Sequence, residues 1–438
     1  MLYVNSFTKK LASALFVGLS PYWAVSAAEK TEDDNKTDPS SGLEWKLDAG
    51  LGYDSNIYRA PGAPYINYAD SCTLADANCV DSADNVTGNN LGYVKVSPQI
   101  KSGVFIPLEL KVDYLKNLAT NNIFLASYTA SGDFYAQSQY SNANNYGNKL
   151  HAGDQWIFST QHNQQHSFYV GGLLEYKKRL YLDRDTGEDQ ETAAHVDISG
   201  RYTYDAYGLE SVLEGKVNGF QYAIDATIAK RNYEDPVVVS QYDHTYYSLG
   251  GKTKIRLAKF TKLSVGYDYY IYDYVERPSR SLIDGRLLVS NPPRKYQYNK
   301  INVSLRQRLS KAWLVYLDYE HRTRTDKYQG YDNYTKNLFK TRLHYVINKS
   351  NRLKFSYTYW KRDYPNAFAY DNADYDATAA VVNISKKYDG SEAKLSWTNA
   401  LDRHKAIVFE VDYYKENSSD LRYDFERYRT LVSFEWEY

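Results

Sequence analysis

Beyond its first 27 residues this chain has no long hydrophobic run. No later segment approaches the roughly 20 apolar residues that a membrane-crossing helix needs, and the mean hydropathy of −0.63 excludes a helical membrane protein. A surplus of charge is missing too. The 53 basic and 53 acidic side chains balance, which removes the electrostatic footprint of a nucleic-acid binder. Cysteine is nearly absent. Cys72 and Cys79 stand close together in a polar stretch, and in an exported chain they predict a local disulfide.

Catalytic constellations are equally thin. There is no Gly-x-Ser-x-Gly elbow, and the eight histidines, His151, His162, His166, His195, His244, His321, His344 and His404, are scattered. With no nucleophile set beside a base, neither an enzyme nor a cofactor is expected. His162 and His166 have metal-like spacing, but in a turn they share no helix face. Asp183, Asp185, Glu188, Asp189 and Glu191, and likewise Asp70, Asp76, Asp81 and Asp84, supply oxygen ligands without the ordered spacing of a calcium loop. Both groups read as solvated loops, so no metal site is expected.

What the chain has in excess is tyrosine, 47 residues against 15 Phe and 7 Trp. Such rings gather where one end is apolar and the other wet. The last residues give the pattern its meaning. Tyr428, Thr430, Val432, Phe434, Trp436 and Tyr438 alternate with Arg427, Arg429, Leu431, Ser433, Glu435 and Glu437. Period two means a strand, and an apolar face opposite a charged one fits a transmembrane β-barrel between lipid and a wet lumen.

Residues 1–27 have the form of a secretory signal: Lys9 and Lys10, an apolar stretch from Leu11 to Val25, and a small-residue site at Val25-Ser26-Ala27. Residues 28–42 are charged and lack aromatics, which predicts a disordered periplasmic lead-in. The remainder, 43–438, reads as all-β: a single antiparallel transmembrane barrel of about sixteen strands, with fourteen or eighteen also compatible. The expected strands are 43–58, 91–102, 104–118, 147–160, 166–183, 191–206, 219–234, 243–258, 260–276, 296–309, 312–326, 335–348, 351–365, 375–388, 405–417 and 424–438.

Short connections alternate with long polar ones. The short ones fall at Ser102-Gly103, Gln161 to Gln165, Lys259-Phe260, Ser310-Lys311 and Lys349-Ser350, which places turns and both termini in the periplasm and long loops outside the cell. Residues 119–146 carry an alternation of their own that would suit an extra hairpin or a strand extended above the membrane. Tight turns are expected at 207–218 and 389–404. Asp154 shares the parity of Leu150, Trp156 and Phe158, and a bulge is expected to restore the phase there.

The opening Gly52-Tyr53-Asp54-Ser55-Asn56-Ile57-Tyr58-Arg59, at the end of the first strand and before a long loop, resembles the start of the outer-membrane barrel family called β-barrel porin 2. The resemblance extends in pattern over 43–438. It implies an outer-membrane barrel, with exopolysaccharide export among the roles suggested for some members. A similar opening occurs in surface lipoprotein assembly modifiers, but those carry an N-terminal repeat domain.

Inward parity places Lys252, Lys254, Arg256, Arg306, Arg308, Lys340, Arg342, His344, Lys354 and Arg362 on strands in the second half of the barrel. It places Glu44, Asp48, Glu410, Asp412, Glu435 and Glu437 on the first and last two strands, which are neighbours in a closed ring. The expectation is a lumen with an acidic wall facing a basic one, a channel for polar solutes or an exported acidic polysaccharide. The alternative is an assembly or export partner for surface components. Expected partners are outer-membrane lipid, lipopolysaccharide, a polar or saccharide permeant, and the barrel-insertion machinery, which would read Phe434, Trp436 and Tyr438.

Overall fold

The computed structural model describes residues 41–73, 79–81, 91–159, 165–191, 195–217, 219–283, 285–369 and 384–438. The expected signal and nearly all of the lead-in lie outside these residues, as does His162. Cys72 and Cys79 lie on described backbone, but their side chains, and with them the expected disulfide, fall outside the description.

Sixteen strands close into one antiparallel barrel. In chain order the strands are β1 (Ser41–Asp54), β2 (Tyr65–Thr73), β3 (Cys79–Asp81), β4 (Leu91–Val96), β5 (Gly103–Ala119), β6 (Asn122–Tyr135), β7 (Asn145–Ser159), β8 (Gln165–Lys178), β9 (Tyr204–Val217) and β10 (Phe220–Tyr233). The second half holds β11 (His244–Ala258), β12 (Thr261–Pro278), β13 (Pro293–Arg308), β14 (Trp313–Asp326), β15 (Tyr334–Val346), β16 (Asn351–Phe368), β17 (Ser385–Ala400), β18 (Lys405–Ser418) and β19 (Phe425–Glu437). β2, β4 and β3 form a separate small sheet within the first long connection, and every other strand belongs to the barrel.

The count of sixteen holds, but three expected strands were misplaced. Residues 91–102 are not a wall strand: only Leu91–Val96 is extended, and it pairs within the small sheet. Ser102-Gly103 is therefore not a short turn. The strand it displaced is β6, inside the 119–146 stretch. The described residues of 191–206 are mostly loop, and the wall strand is β9, over the segment expected to turn at 207–218. Of the strand expected at 375–388 most lies outside the described residues, and the wall strand is β17, across the expected turn at 389–404.

Connections at one end are tight: 120–121, 160–164, 218–219, 259–260, 309–312, 347–350 and 401–404. Those at the other end include 55–102, 179–203, 234–243, 279–292, 327–333 and 419–424. The outer face between them is apolar because alternate residues point to it: Leu51 is 59 % exposed, Leu249 56 % and Phe339 55 %. In a closed ring of strands, where the wall's backbone polar groups pair with neighbouring strands, such a band suits lipid. Toward the long-loop end the same face turns polar, with Lys295 bonded to Asp273 at 2.7 Å and Lys361 near Asp363 at 3.4 Å. The wall thus continues past the apolar band.

Aromatic rings mark the short-turn rim. Trp45 meets Trp436 edge-on at 4.9 Å and Tyr438 at 6.2 Å, and Trp313 stacks on Tyr345 at 4.3 Å. Asp154 lies just inside this girdle without the expected bulge. The ladders of β7 run unbroken on both sides, so the carboxylate keeps its outward parity. Close to the interface this costs far less than at mid-bilayer.

β1 closes the ring against β19, with Leu47 opposite Trp436 and Asp48 opposite Glu435. At its long-loop end the seam is latched by Asp54, which is fully buried. Asp54 accepts from Arg427 Nε at 2.8 Å and from the Tyr135 hydroxyl at 2.8 Å, while Arg429 Nη2 donates to Asp133 at 2.8 Å. Asn56 completes the turn: its side chain donates to the carbonyls of Ala60 (2.9 Å) and Glu426 (3.1 Å) and accepts from the Ala60 N–H at 2.8 Å. The Asp-Ser-Asn of the opening motif is therefore a barrel-closing device.

Candidate functional site

The interior is built from the alternate residues that the apolar band leaves over. In the ring, β12 lies diametrically opposite β1, so side chains of β11–β13 face those of β19, β1 and β5 across the barrel. Near the short-turn end, Lys254 lies within electrostatic reach of Lys252, Lys262 and Arg306, and Lys262 within reach of Arg306, Arg256 and Arg308. His344 extends the group toward Lys354, Arg342 and Arg306. Across from them, Asp48 neighbours Glu435, Lys46 and Glu410, and Asp412 neighbours Glu392, Lys394 and Glu410.

The expected lumen residues thus fall into separate groups. Lys252, Lys254, Arg256, Arg306, Arg308 and Lys354 sit in the basic arc, together with Lys262, which sequence reasoning missed. Asp48, Glu410, Asp412 and Glu435 sit in the acidic arc, where Lys46 lies 3.3 Å from Glu435 and Lys394 pairs with Glu410. Glu44 is exposed at the rim, opposite Asp113. Arg342 donates to Asp318 at 3.1 and 2.8 Å, and Lys340 interacts with Glu392 and Asp318, so these two are largely neutralised. Arg362 belongs elsewhere.

Toward the long-loop end the inward positions become tyrosines and arginines. Tyr270, Tyr274, Tyr296, Tyr298, Tyr334 and Tyr364 are buried in one cluster, with Tyr270 stacked on Tyr298 at 4.5 Å. Arg324 lies over Tyr296 at 4.3 Å and over Tyr334 at 4.6 Å, and Arg362 lies over Tyr388 at 4.6 Å. A guanidinium on a ring face gains cation–π attraction when desolvated, which lets this layer bury charge with few carboxylates.

Asp332, in the 327–333 loop, ties the layer to the loops. It accepts from the Tyr296 hydroxyl at 2.5 Å and lies 3.6 to 3.8 Å from Arg324, Arg280 and Arg294. Burial alone would raise its carboxyl, but Arg294, Arg280 and Arg324 outweigh it and hold the group well below the usual carboxylate range. The interior is therefore two-tiered: wet charged arcs near the short turns, and a packed Tyr/Arg layer near the long loops.

The second tier left a faint signal in the sequence. Tyr270, Tyr272 and Tyr274 share the parity of Lys262 and Asp268, but Tyr267 and Tyr269 occupy the other face, so parity alone does not separate lumen rings from interfacial ones.

Asp183, among the acidic loop residues, binds its own loop. Asp183 Oδ1 accepts from the N–H groups of Asp185 and Thr186, both at 2.8 Å, and Oδ2 accepts from Gln190 Nε2 at 3.0 Å. Asp70, Asp76, Asp81 and Asp84 lie outside the described side chains. His166 meets the Tyr222 hydroxyl at 2.8 Å on the outer face.

No family model and no curated protein matches the chain. Among solved structures it is similar to OmpF of Salmonella typhi in complex with daunomycin, at 12% identity and a TM-score of 0.45, over 91% of this chain and 97% of that one. It is also similar to OccAB1 of Acinetobacter baumannii, at 9% identity and a TM-score of 0.45, over 90% and 96%. A third likeness is to a bacterial polysaccharide outer membrane secretin, at 8% identity and a TM-score of 0.42, over 90% and 97%. These likenesses concern the barrel and say nothing of cargo.

Proposed function

We propose that this chain is an outer-membrane channel that passes anionic or strongly dipolar solutes, with an acidic saccharide as its preferred cargo. The observation that carries the reading is the basic arc of Lys252, Lys254, Lys262, Arg256, Arg306 and Arg308, set across the barrel from Asp48, Glu410, Asp412 and Glu435. Barrels of about sixteen strands enclose water unless a loop fills them. Charges lining such a passage set up a field that low-dielectric walls strengthen, and a solute with separated charge is oriented by it.

On this reading the short turns and both termini face the periplasm, and the basic arc is the first surface that a cargo leaving the cell meets. The Tyr/Arg layer is then the outer constriction, offering ring faces and guanidinium donors suited to sugars that carry carboxylates. Liposome swelling tests the reading. Vesicles holding the purified barrel should swell faster in isotonic glucuronate than in a neutral sugar of the same size. Equal rates, or no swelling in either, would count against it.

A further inference from the structure

The opening motif ends on Arg59, which the seam latch does not use. Its backbone is left-handed, with φ of 60°, a conformation that L side chains other than Asn, Asp and His rarely adopt. The Asn56 bonds to Ala60 on either side hold it there. The fold thus fixes a strained residue whose side chain makes no ion pair among the described residues.

Two other guanidiniums come to the same place. The 179–203 loop bends toward the seam, where Tyr58 packs beneath Gly187, Asn142 donates to the Gly187 carbonyl at 2.6 Å, and the Tyr65 hydroxyl donates to Asp185 at 2.5 Å. This brings Arg184 over Tyr423 at 4.5 Å and over Phe425 at 5.6 Å. Arg59 lies over the same Phe425 ring at 5.9 Å, and Arg179 lies over Tyr202 at 5.6 Å.

Among the described residues, none of these three arginines forms an ion pair. Nearby carboxylates have other bonded partners: Asp54 with Arg427, Asp420 with Arg422 at 2.8 Å, and Asp185, which also feels the Arg184 charge, with Tyr65. Arg184 also holds a buried Nη1 with no hydrogen-bond partner.

We propose that Arg59, Arg179 and Arg184 form an anion-binding station at the long-loop mouth, which takes the carboxylate or phosphate of a saccharide whose ring lies against Tyr423, Phe425 or Tyr202. Guanidiniums pair such groups bidentately. Burial and the neighbouring Arg427, Arg179 and Arg184 pull the Arg59 guanidinium down to about 10, and a bound anion removes that repulsion. The station rests on the channel reading only in making the bound anion a permeant.

Calorimetry on the purified full-length barrel in detergent tests the station without requiring transport. The probes are digalacturonate, glucose 6-phosphate, maltotriose and inorganic phosphate. Saturable binding of digalacturonate or glucose 6-phosphate but not maltotriose is expected. It should weaken about tenfold or more when Arg59→Gln is combined with Arg184→Gln, as for loss of charged hydrogen bonds. Arg59→Lys, which keeps the charge and loses the fork, should fall between. Heat-modifiable migration checks folding, and Arg179→Gln replaces the double variant if that fails to assemble.

Unchanged affinity in the variants, equal binding of maltotriose, or no binding of any probe would overturn the station. Inorganic phosphate binding as well as the sugar anions would overturn the saccharide assignment. Bilayer conductance of the same preparation reports separately on the channel, so either reading can fail alone.

Discussion

Replacing Lys252, Lys254, Lys262 and Arg306 together by Gln removes the centre of the basic arc. Lys254 lies within electrostatic reach of the other three, and the salt bridges of Arg342 with Asp318 and of Lys394 with Glu410 are left intact. An anion about 10 Å from each charge in water gains roughly 0.4 kcal/mol per charge without salt. Screening at 0.1 M reduces this to about 0.15 kcal/mol each, or on the order of 0.6 kcal/mol for the four. A cation is disfavoured by the same amount, so the anion-to-cation permeability changes by about eightfold, which in a tenfold salt gradient moves the reversal potential on the order of 40 mV toward cation preference. The shift should grow as salt is lowered. A reversal potential unchanged at low salt, with heat-modifiable folding intact, would mean that these side chains lie off the permeation path, and the field argument would fail.

Three further outcomes follow from the wall and its loops. Asp54→Asn leaves Arg427 buried without its carboxylate and should lower barrel stability by roughly 3–5 kcal/mol, read as a lower temperature for the loss of compact migration in detergent gels; an unchanged temperature would refute the latch. Deleting Trp436 to Tyr438 removes the outward rings at the seam and should abolish membrane assembly while secretion to the periplasm continues; normally assembled, surface-protected protein would refute the terminal strand's role as insertion signal. Because the folded Asp332 carboxyl is held below its ordinary value, its contribution is present above the unfolded value near 4 and lost only as pH falls through the lower, folded one. Protease resistance of the 279–292 and 327–333 loops should therefore survive acidification from pH 7 to about 4.5, whereas Asp332→Asn should lose it already at pH 7; parallel loss in both proteins across that range would contradict the clamp.

The barrel was legible where lipid meets one face and water the other. Strands β14, β16, β18 and β19 kept strict alternation, so their positions in the wall were close to those expected. It failed where one of those solvents is missing. In β6 the inward Ile123 and Leu125 pack with Ile157, Tyr169 and Val212 in a buried apolar cluster, so at its short-turn end both faces are apolar and the alternation shows only from Ser127 onward. In β17 the outward positions begin with Ser385, Lys387, Asp389 and Ser391, level with a wall that has already left the apolar band, so only its second half reads as a membrane strand. The charged arcs were visible as parity. Their separation from the Tyr/Arg layer was not, because height along the barrel depends on strand tilt and on how far each strand outruns the membrane, neither of which a period of two records. The anion station was beyond reach, since Arg59, Arg179 and Arg184 meet only when a long loop reaches the seam.

Single-channel recording on the purified wild-type barrel in planar bilayers tests the central claim most directly. The account predicts discrete conductance steps with a reversal potential on the anion side in a salt gradient, interrupted by brief blocks when an acidic oligosaccharide is added. A correctly folded barrel that conducts at no voltage or salt concentration would contradict it.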